Sequence, residues 1–414
     1  MSQTRPSSAF VRESRAAHRA SRRRRAVACG LLAIAAATSL GAQEAVDRTA
    51  IDRLKEEGFK RSQVMDITSW LTDVYGSRLT NAPSTRAAAE WSVKKLGEWG
   101  LVNARLEPWG PFGRGWVNER FVAQVVAPYP FTVIGYANAW TPGTNGAVTA
   151  EAVWLQADSV ADLERYRGKL RGKVAFTMPP REVRASFAPL AERYTDEELA
   201  KLAEPLPPRP AGGPGGPGGP GGAPGGAQSR FQAQQALAAA RTKFLVDEGV
   251  VAVVVPGRGD GGTVFVSGAG GSRDPRNPAP LPQLTFAVEH YNRIVRALQK
   301  GVPIRMELDV RNRFHDEDLN SYNIIAEIPG TDPQLKGEIV MLGAHFDSWQ
   351  AGTGATDNAA GTAVMMEAVR LIRATGLRPK RTIRIALWTG EEQGLLGSRA
   401  YVTQQFADRQ SGAR

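Results

Sequence analysis

Over the last hundred residues, apolar strand-like runs alternate with helical ones, and few architectures accept that order. "YNIIAEIPG" reads as a strand and turn, "EIVMLGAH" as a near-continuous apolar strand of the kind buried on both faces, and "RTIRIALWTG" as a third strand. "NAAGTAVMMEAVRLIRATG" reads as a helix with Val364, Ala368 and Leu371 at helical spacing and Gly376 as its stop; "GLLGSRAYVTQQF" reads as another. Strand, helix, strand, helix at these lengths predicts an α/β layer with parallel strands. Ligands of such sheets gather beyond the carboxyl ends of the strands. Four residues with metal or proton chemistry fall there: His345 after the strand at 338–344, Asp357 at the start of the next helix, and Glu391 and Glu392 after the strand at 382–389.

Each of these has an ordinary explanation by itself. A histidine after a strand is commonly structural, an acid before a helix commonly caps it, and paired glutamates suit the positive end of a helix dipole. Three separate junctions converging on one rim favour chemistry instead. Imidazole nitrogen and carboxylate oxygen are good zinc ligands. A carboxylate has two oxygens, so Asp357 is able to bridge a pair of ions. Adjacent glutamates divide the work, one ligating and the other acting as general base. Asp347, two residues after His345, is placed to accept the free ring N–H and orient the imidazole. The surrounding Gly, Ala and Thr leave room for a substrate backbone.

Composition narrows the alternatives. Cys29 is the only cysteine, which removes disulfides, cysteine-ligated zinc and thiol catalysis from any form lacking the N-terminal segment. The net charge is +11, but residues 1–42 hold eight arginines against one acid, Glu13, leaving only +4 for the rest. The basic character is therefore an N-terminal property and implies no nucleic-acid partner. "SRRRR", the fifteen-residue apolar run "AVACGLLAIAAATSL" and small Ala42 have the order of a cleaved export signal over 1–42, with the mature chain starting near Gln43. That run is too short for comfortable membrane spanning, so stable membrane insertion is not expected. The reading is of an exported protein, periplasmic or secreted.

Upstream of the alternating region, 52–61, 64–75 and "PSTRAAAEWSVKKLGEWG" read as helices and 102–107 as a strand. From 125 to 309 the texture changes to short strands, among them "GKVAFTM" and "VVAVVVP", with a helix at 231–248. Inside it, "PLPPRPAGGPGGPGGPGGAPGG" cannot bury apolar surface and reads as a flexible, disordered insertion over 205–227. His290 and His315, in this region or at its exit, read as structural.

"GAHFDSW", "TGATDNAAG" and "WTGEEQGLLGS" closely resemble the family-28 zinc exopeptidases, which include aminopeptidases and carboxypeptidase Q-like enzymes. "QVMDITSWLTDVYGSRLT" and "PWGPFGRGW" are similar to N-terminal segments of the carboxypeptidase Q branch, and 125–312 resembles the protease-associated domain that many members carry as an insertion. The resemblance implies a mixed sheet sandwiched between helices, formed by 43–124 and 313–414. It implies that His345 ligates one zinc, Glu392 the other and Asp357 both, with two zinc ions per subunit. Glu391 would be the general base, and the peptide between Asp357 and Asn358 would be cis. Small peptides would be the substrates; homodimerisation, aminopeptidase against dipeptidase action and side-chain preference are left open.

One departure qualifies the resemblance. Family members place a further aspartate some twenty-five to thirty residues beyond the glutamates and a histidine later still, whereas twenty-two residues follow Glu392 and no histidine follows His345. Asp408 comes too early. The chain thus reads as C-terminally truncated, with three of five zinc ligands, weak zinc binding, and apolar faces at 339–342 and 383–387 left open to solvent. Two other functions stay open: a glutaminyl-cyclase-like enzyme with a single zinc, and a non-catalytic binding ectodomain.

Overall fold

The computed structural model describes residues 46–189, 191–204, 226–266 and 268–406, and the chain divides into two units, 1–59 and 60–414. The export-signal segment 1–42 and residues 205–225 of the Pro/Gly-rich stretch lie outside the described residues. In the first unit the described element is helix α1 (Arg48–Lys60). No helix among the described residues is long and apolar enough to cross a membrane.

The second unit opens with α2 (Val64–Ser69), which passes into one π-helical turn at Trp70–Val74, followed by α3 (Pro83–Glu98). Pro83 begins α3, where its missing N–H has no intrahelical partner to lose. After β1 (Val102–Trp109) the chain leaves for a second sheet. That sheet is built from β2 (Gly115–Ala127), β3 (Phe131–Thr132), β4 (Gly135–Ala137), β5 (Val148–Trp154), β6 (Val174–Phe176), β7 (Ala252–Pro256), β8 (Gln283–Phe286) and β9 (Arg305–His315). Short helices α4 (Val160–Leu163) and α5 (Asp196–Leu202) and longer α6 (Gly226–Glu248) and α7 (Val288–Gln299) connect these strands. The chain then returns through β10 (Ser321–Ile328), β11 (Ile339–His345), α8 (Ala360–Ala374), β12 (Thr382–Trp388) and α9 (Leu396–Gln405).

Among the described residues the first sheet has four strands in the order β1-β10-β12-β11. Strands β11 and β12 are parallel and the other neighbours antiparallel, so the sheet is mixed. Side-chain alternation sorts its two faces. Ile324, Ala326, Ile328, Ile385 and Leu387 pack with α2, α3 and α8, while Ile325 and Ala386 meet Tyr401 of α9. Helices therefore cover both faces. Among the described residues the second sheet has eight strands in the order β3-β2-β9-β5-β6-β7-β8-β4, around a core that includes Trp116, Phe176, Phe286 and Leu308. It departs after Trp109 and returns at Ser321, which are themselves paired across β1 and β10. An insertion that leaves and returns at paired residues disturbs the first sheet least. Its long β2–β9 pair runs from Gly115 opposite His315, wider than 125–312.

Two expectations are corrected. The "EIVMLGAH" strand is not buried on both faces: among the described residues β11 is an edge strand, and Ile339, Val340 and Met341 are exposed, in line with the open face expected at 339–342. The 383–387 stretch is not open, since β12 lies between β10 and β11 and Ile385, Ala386 and Leu387 are fully buried. In α8 the core face is Ala363, Met366 and Val369, whereas Val364 is half exposed. Nearly all sides of α8 are apolar, so periodicity alone did not choose the face; packing against Ile67, Leu71 and Ala88 did. The helix expected over 231–248 also starts earlier, at Gly226.

Candidate metal centre

Parallel pairing of β11 with β12 matches His345 to Trp388, so both strands finish level. The Phe346 amide then donates to the Trp388 carbonyl at 2.6 Å, and the residues beyond each strand emerge side by side. His345 ends one strand, and Glu391 and Glu392 follow the other after the turn at Thr389–Gly390. Asp357 arrives from the third junction, in the π-helical turn Ala355–Ala359 ahead of α8. Asp357 and Asn358 depart from helical angles there, and the peptide between them is cis. Gly354 is left-handed (φ +59°), and a Cβ on it would collide with Ser348. Gly361 lets its N–H reach Asn358 Oδ1 at 3.0 Å, where a side chain would strike the same amide.

One ligand atom each from His345, Asp357 and Glu392 lies within 4.8 Å of the other two. His345 Nε2 is 2.9 Å from Asp357 Oδ1 and 3.9 Å from Glu391 Oε2. Nδ1 of His345 sits 3.1 Å from the backbone carbonyl of Asp347 and 3.7 Å from its carboxylate. Asp357 is three-quarters exposed, and the Glu391 side chain about one-third. The three sequence-derived donors and the glutamate beside them are therefore brought together. His290 and His315 are not: His290 Nδ1 accepts the Ile134 amide at 3.0 Å, and His315 ends β9 near Glu317.

Asp347 has a wider role than orienting a ring. Its carboxylate, fully buried, accepts from the Thr80 hydroxyl at 2.8 Å and from the amides of Glu391 and Glu392 at 3.2 and 3.3 Å. It thus ties both glutamates to the β11 junction, while its carbonyl makes the shorter contact to His345. Thr80 Oγ1 also accepts the Gly390 amide at 3.1 Å.

Arg78 completes the scaffold. It is fully buried, and its guanidinium donates to the carbonyls of Leu71, Gly76, Phe346, Thr353 and Gly354. It links the loop before α3 to the end of β11 and to the residues just ahead of the Asp357 turn. Burial brings its pKa down to about 10 despite the nearby Asp347 charge. Thr362 Oγ1 meets the His345 carbonyl at 2.9 Å from α8. Sequence reading missed Arg78 and Thr80. Their signal was "YGSRLT", whose Arg-Leu-Thr is entirely buried although two of the three residues are polar.

The electrostatics suit a cation. Burial disfavours charge on His345, but the carboxylates of Asp347, Glu391 and Asp357 outweigh it and push the pKa up to about 9. Glu392 moves up to about 7, from burial first and then from the Asp357 and Asp347 charges. Protons gather here because acids do. A divalent ion would meet the same demand, and the imidazole-plus-two-carboxylate donor set fits zinc.

Comparison with known proteins agrees. Residues 323–413 match the model of peptidase family M28. The segment carrying the cluster is therefore the part of the chain that matches that family. Carboxypeptidase Q of Xenopus laevis is 40% identical over 121 residues, covering 29% of this chain and 25% of that relative. Leupeptin-inactivating enzyme 1 of Streptomyces exfoliatus is 38% identical over 89 residues, 22% of this chain and 20% of that protein. The chain spans about a quarter of the length of the curated relatives it matches. The crystal structure of a peptidase M28 precursor from Shewanella amazonensis shares the fold, with a TM-score of 0.53 at 24% identity over 86% of this chain and 70% of that one.

Proposed function

We propose that this M28 segment forms the zinc-binding part of an exported exopeptidase that hydrolyses small peptides, of aminopeptidase or dipeptidase type. The observation that carries the reading is the meeting of His345, Asp357 and Glu392 within 4.8 Å, with Glu391 beside them. His345 and Glu392 would each hold one ion of a dinuclear site, and exposed Asp357 would bridge the two. Bound zinc would supply a Lewis acid that polarises a carbonyl and acidifies water.

The protein's own residues do the rest. The Glu391 carboxylate takes no part in the scaffold bonds that hold Asp347 and would take the proton of the attacking water, returning it to the departing amine. Asp347 and Thr80 would hold the Glu391 and Glu392 backbones in register, so that base and ligand keep their separation through the proton transfer. The inserted eight-stranded sheet would be a protease-associated domain shaping access to the centre. Its departure and return at paired Trp109 and Ser321 support that reading.

The test pairs metal content with dipeptide hydrolysis. His345→Ala and Glu392→Gln should each lower zinc content measured by mass spectrometry, while Glu391→Gln should retain zinc and lose turnover. Retained zinc in both donor variants would refute the assignment.

A further inference from the structure

A second cavity, of about 470 Å³, lies where the loop after β1 meets the loop before β8, and none of the metal-centre residues lines it. Pro111, Phe112, Pro275 and Leu319 give it apolar walls, and Arg273, Asp274 and Arg276 are its charged lining residues among the described residues. The Arg273 guanidinium sits 4.4 Å over the Phe112 ring, and its Nη1 is buried with no hydrogen-bond partner. Among the described residues it pairs with no carboxylate. Adjacent Asp274 is already engaged by Arg276, through Nε at 2.9 Å and Nη2 at 2.7 Å. Buried donors nearly always find a partner, and Nη1 is such a donor on a cation whose remainder is only partly buried. The position is also held firmly: the Arg273 carbonyl accepts the Arg114 amide at 2.9 Å, and Gly113 packs so closely on Arg273 that a Cβ there would clash.

We propose that this cavity is a binding site for a small ligand joining a carboxylate to an apolar body, with the carboxylate on Arg273 and the body against Phe112 and Leu319. A planar guanidinium matches a carboxylate in geometry. Arg276 being neutralised by Asp274, the cavity offers one net positive charge. That suits a monoanion, whereas a phosphate dianion would bring charge the walls cannot balance. A free aryl carboxylate and the C-terminal residue of a peptide share this chemistry.

Calorimetric titration of the chain distinguishes these sources, using 3-phenylpropionate, N-acetyl-phenylalanine, N-acetyl-phenylalaninamide and phenyl phosphate. The two acids should bind, the tighter identifying the source, and the amide should bind at least about tenfold more weakly. Arg273→Gln should lose at least about tenfold for the acids, with Arg273→Lys between, and a thermal melt of each variant confirms folding. His345→Ala should bind the acids unchanged. Equal binding of acid and amide, tighter binding of phenyl phosphate, unaltered binding by Arg273→Gln, loss of binding in His345→Ala, or no binding at millimolar concentrations would overturn the proposal.

Discussion

The two sheets use the same materials to different ends. Both contain parallel strands ending in a rim. At the carboxyl ends of β5 and β6, Trp154, Thr177 and Met178 line a cavity of about 740 Å³, whose charged lining among the described residues is Asp158 and Arg241. Beyond β11 and β12, three junctions deliver a histidine and three carboxylates to one point, and the only group of metal-capable side chains found among the described residues lies there. The difference is the buried polar scaffold beneath. Asp347, Thr80 and Arg78 hold loops that would otherwise splay, because each loses a strong set of hydrogen bonds if the junctions part. A strand-end rim is therefore an opportunity, and a hydrogen-bonded floor turns it into a site.

The largest expected effect breaks the comparison at its centre. Glu391→Gln in an active protein should lower the dipeptide hydrolysis rate by about 10²–10⁴-fold while zinc content stays unchanged, since only the base is removed. Arg78→Met attacks the floor. It removes the guanidinium's bonds to five carbonyls and a positive charge near buried Asp347, so urea denaturation should show a loss of about 3–5 kcal/mol, with zinc affinity falling as well. Leu308→Ala, in the core of the second sheet, should cost about 2–5 kcal/mol in the same measurement yet leave zinc affinity alone. Loss of zinc there would show that the two regions are not separable.

Acidity sharpens the contrast more gently. In the metal-free protein the raised pKa values of His345, about 9, and Glu392, about 7, mean the folded form holds these protons more tightly than the unfolded chain. Their stabilisation is complete at low pH. The Glu392 part is lost as pH rises from the ordinary carboxylate range through about 7, and the His345 part from about 6.5 through 9. Zinc must displace the same protons, so its affinity should rise over that interval, by up to about tenfold per pH unit for each proton displaced. Thermal melts of the metal-free chain and zinc titrations from pH 6 to 9 should therefore trend in opposite directions. The smallest effect is expected of His290→Gln, which gives up the bond from the Ile134 amide: about 1 kcal/mol of stability and no change in zinc binding.

Much of the centre could be read in advance because its signals are local. A histidine ending an apolar strand, an acid among glycines and paired glutamates after another strand are each short-range patterns, and the α/β alternation places them on one rim without knowledge of any contact. The strands and helices of the first sheet were legible for the same reason. Burial was not. Whether β11 is central or at an edge among the described residues, and which side of α8 faces the core, depends on partners far away in sequence, and an apolar run alone shows neither. Arg78 and Thr80 stayed hidden because a polar residue's burial is decided by whether distant carbonyls and a distant carboxylate are waiting for it. Asp347 was found in sequence for its closeness to His345, yet its carboxylate turned out to serve the glutamates forty-four and forty-five residues on. Sequence by itself determined which side chains could do chemistry and at which strand ends they stand. Tertiary structure alone decided which of them meet, because hydrogen bonds and packing between remote segments set the ångström-scale separations on which that chemistry depends.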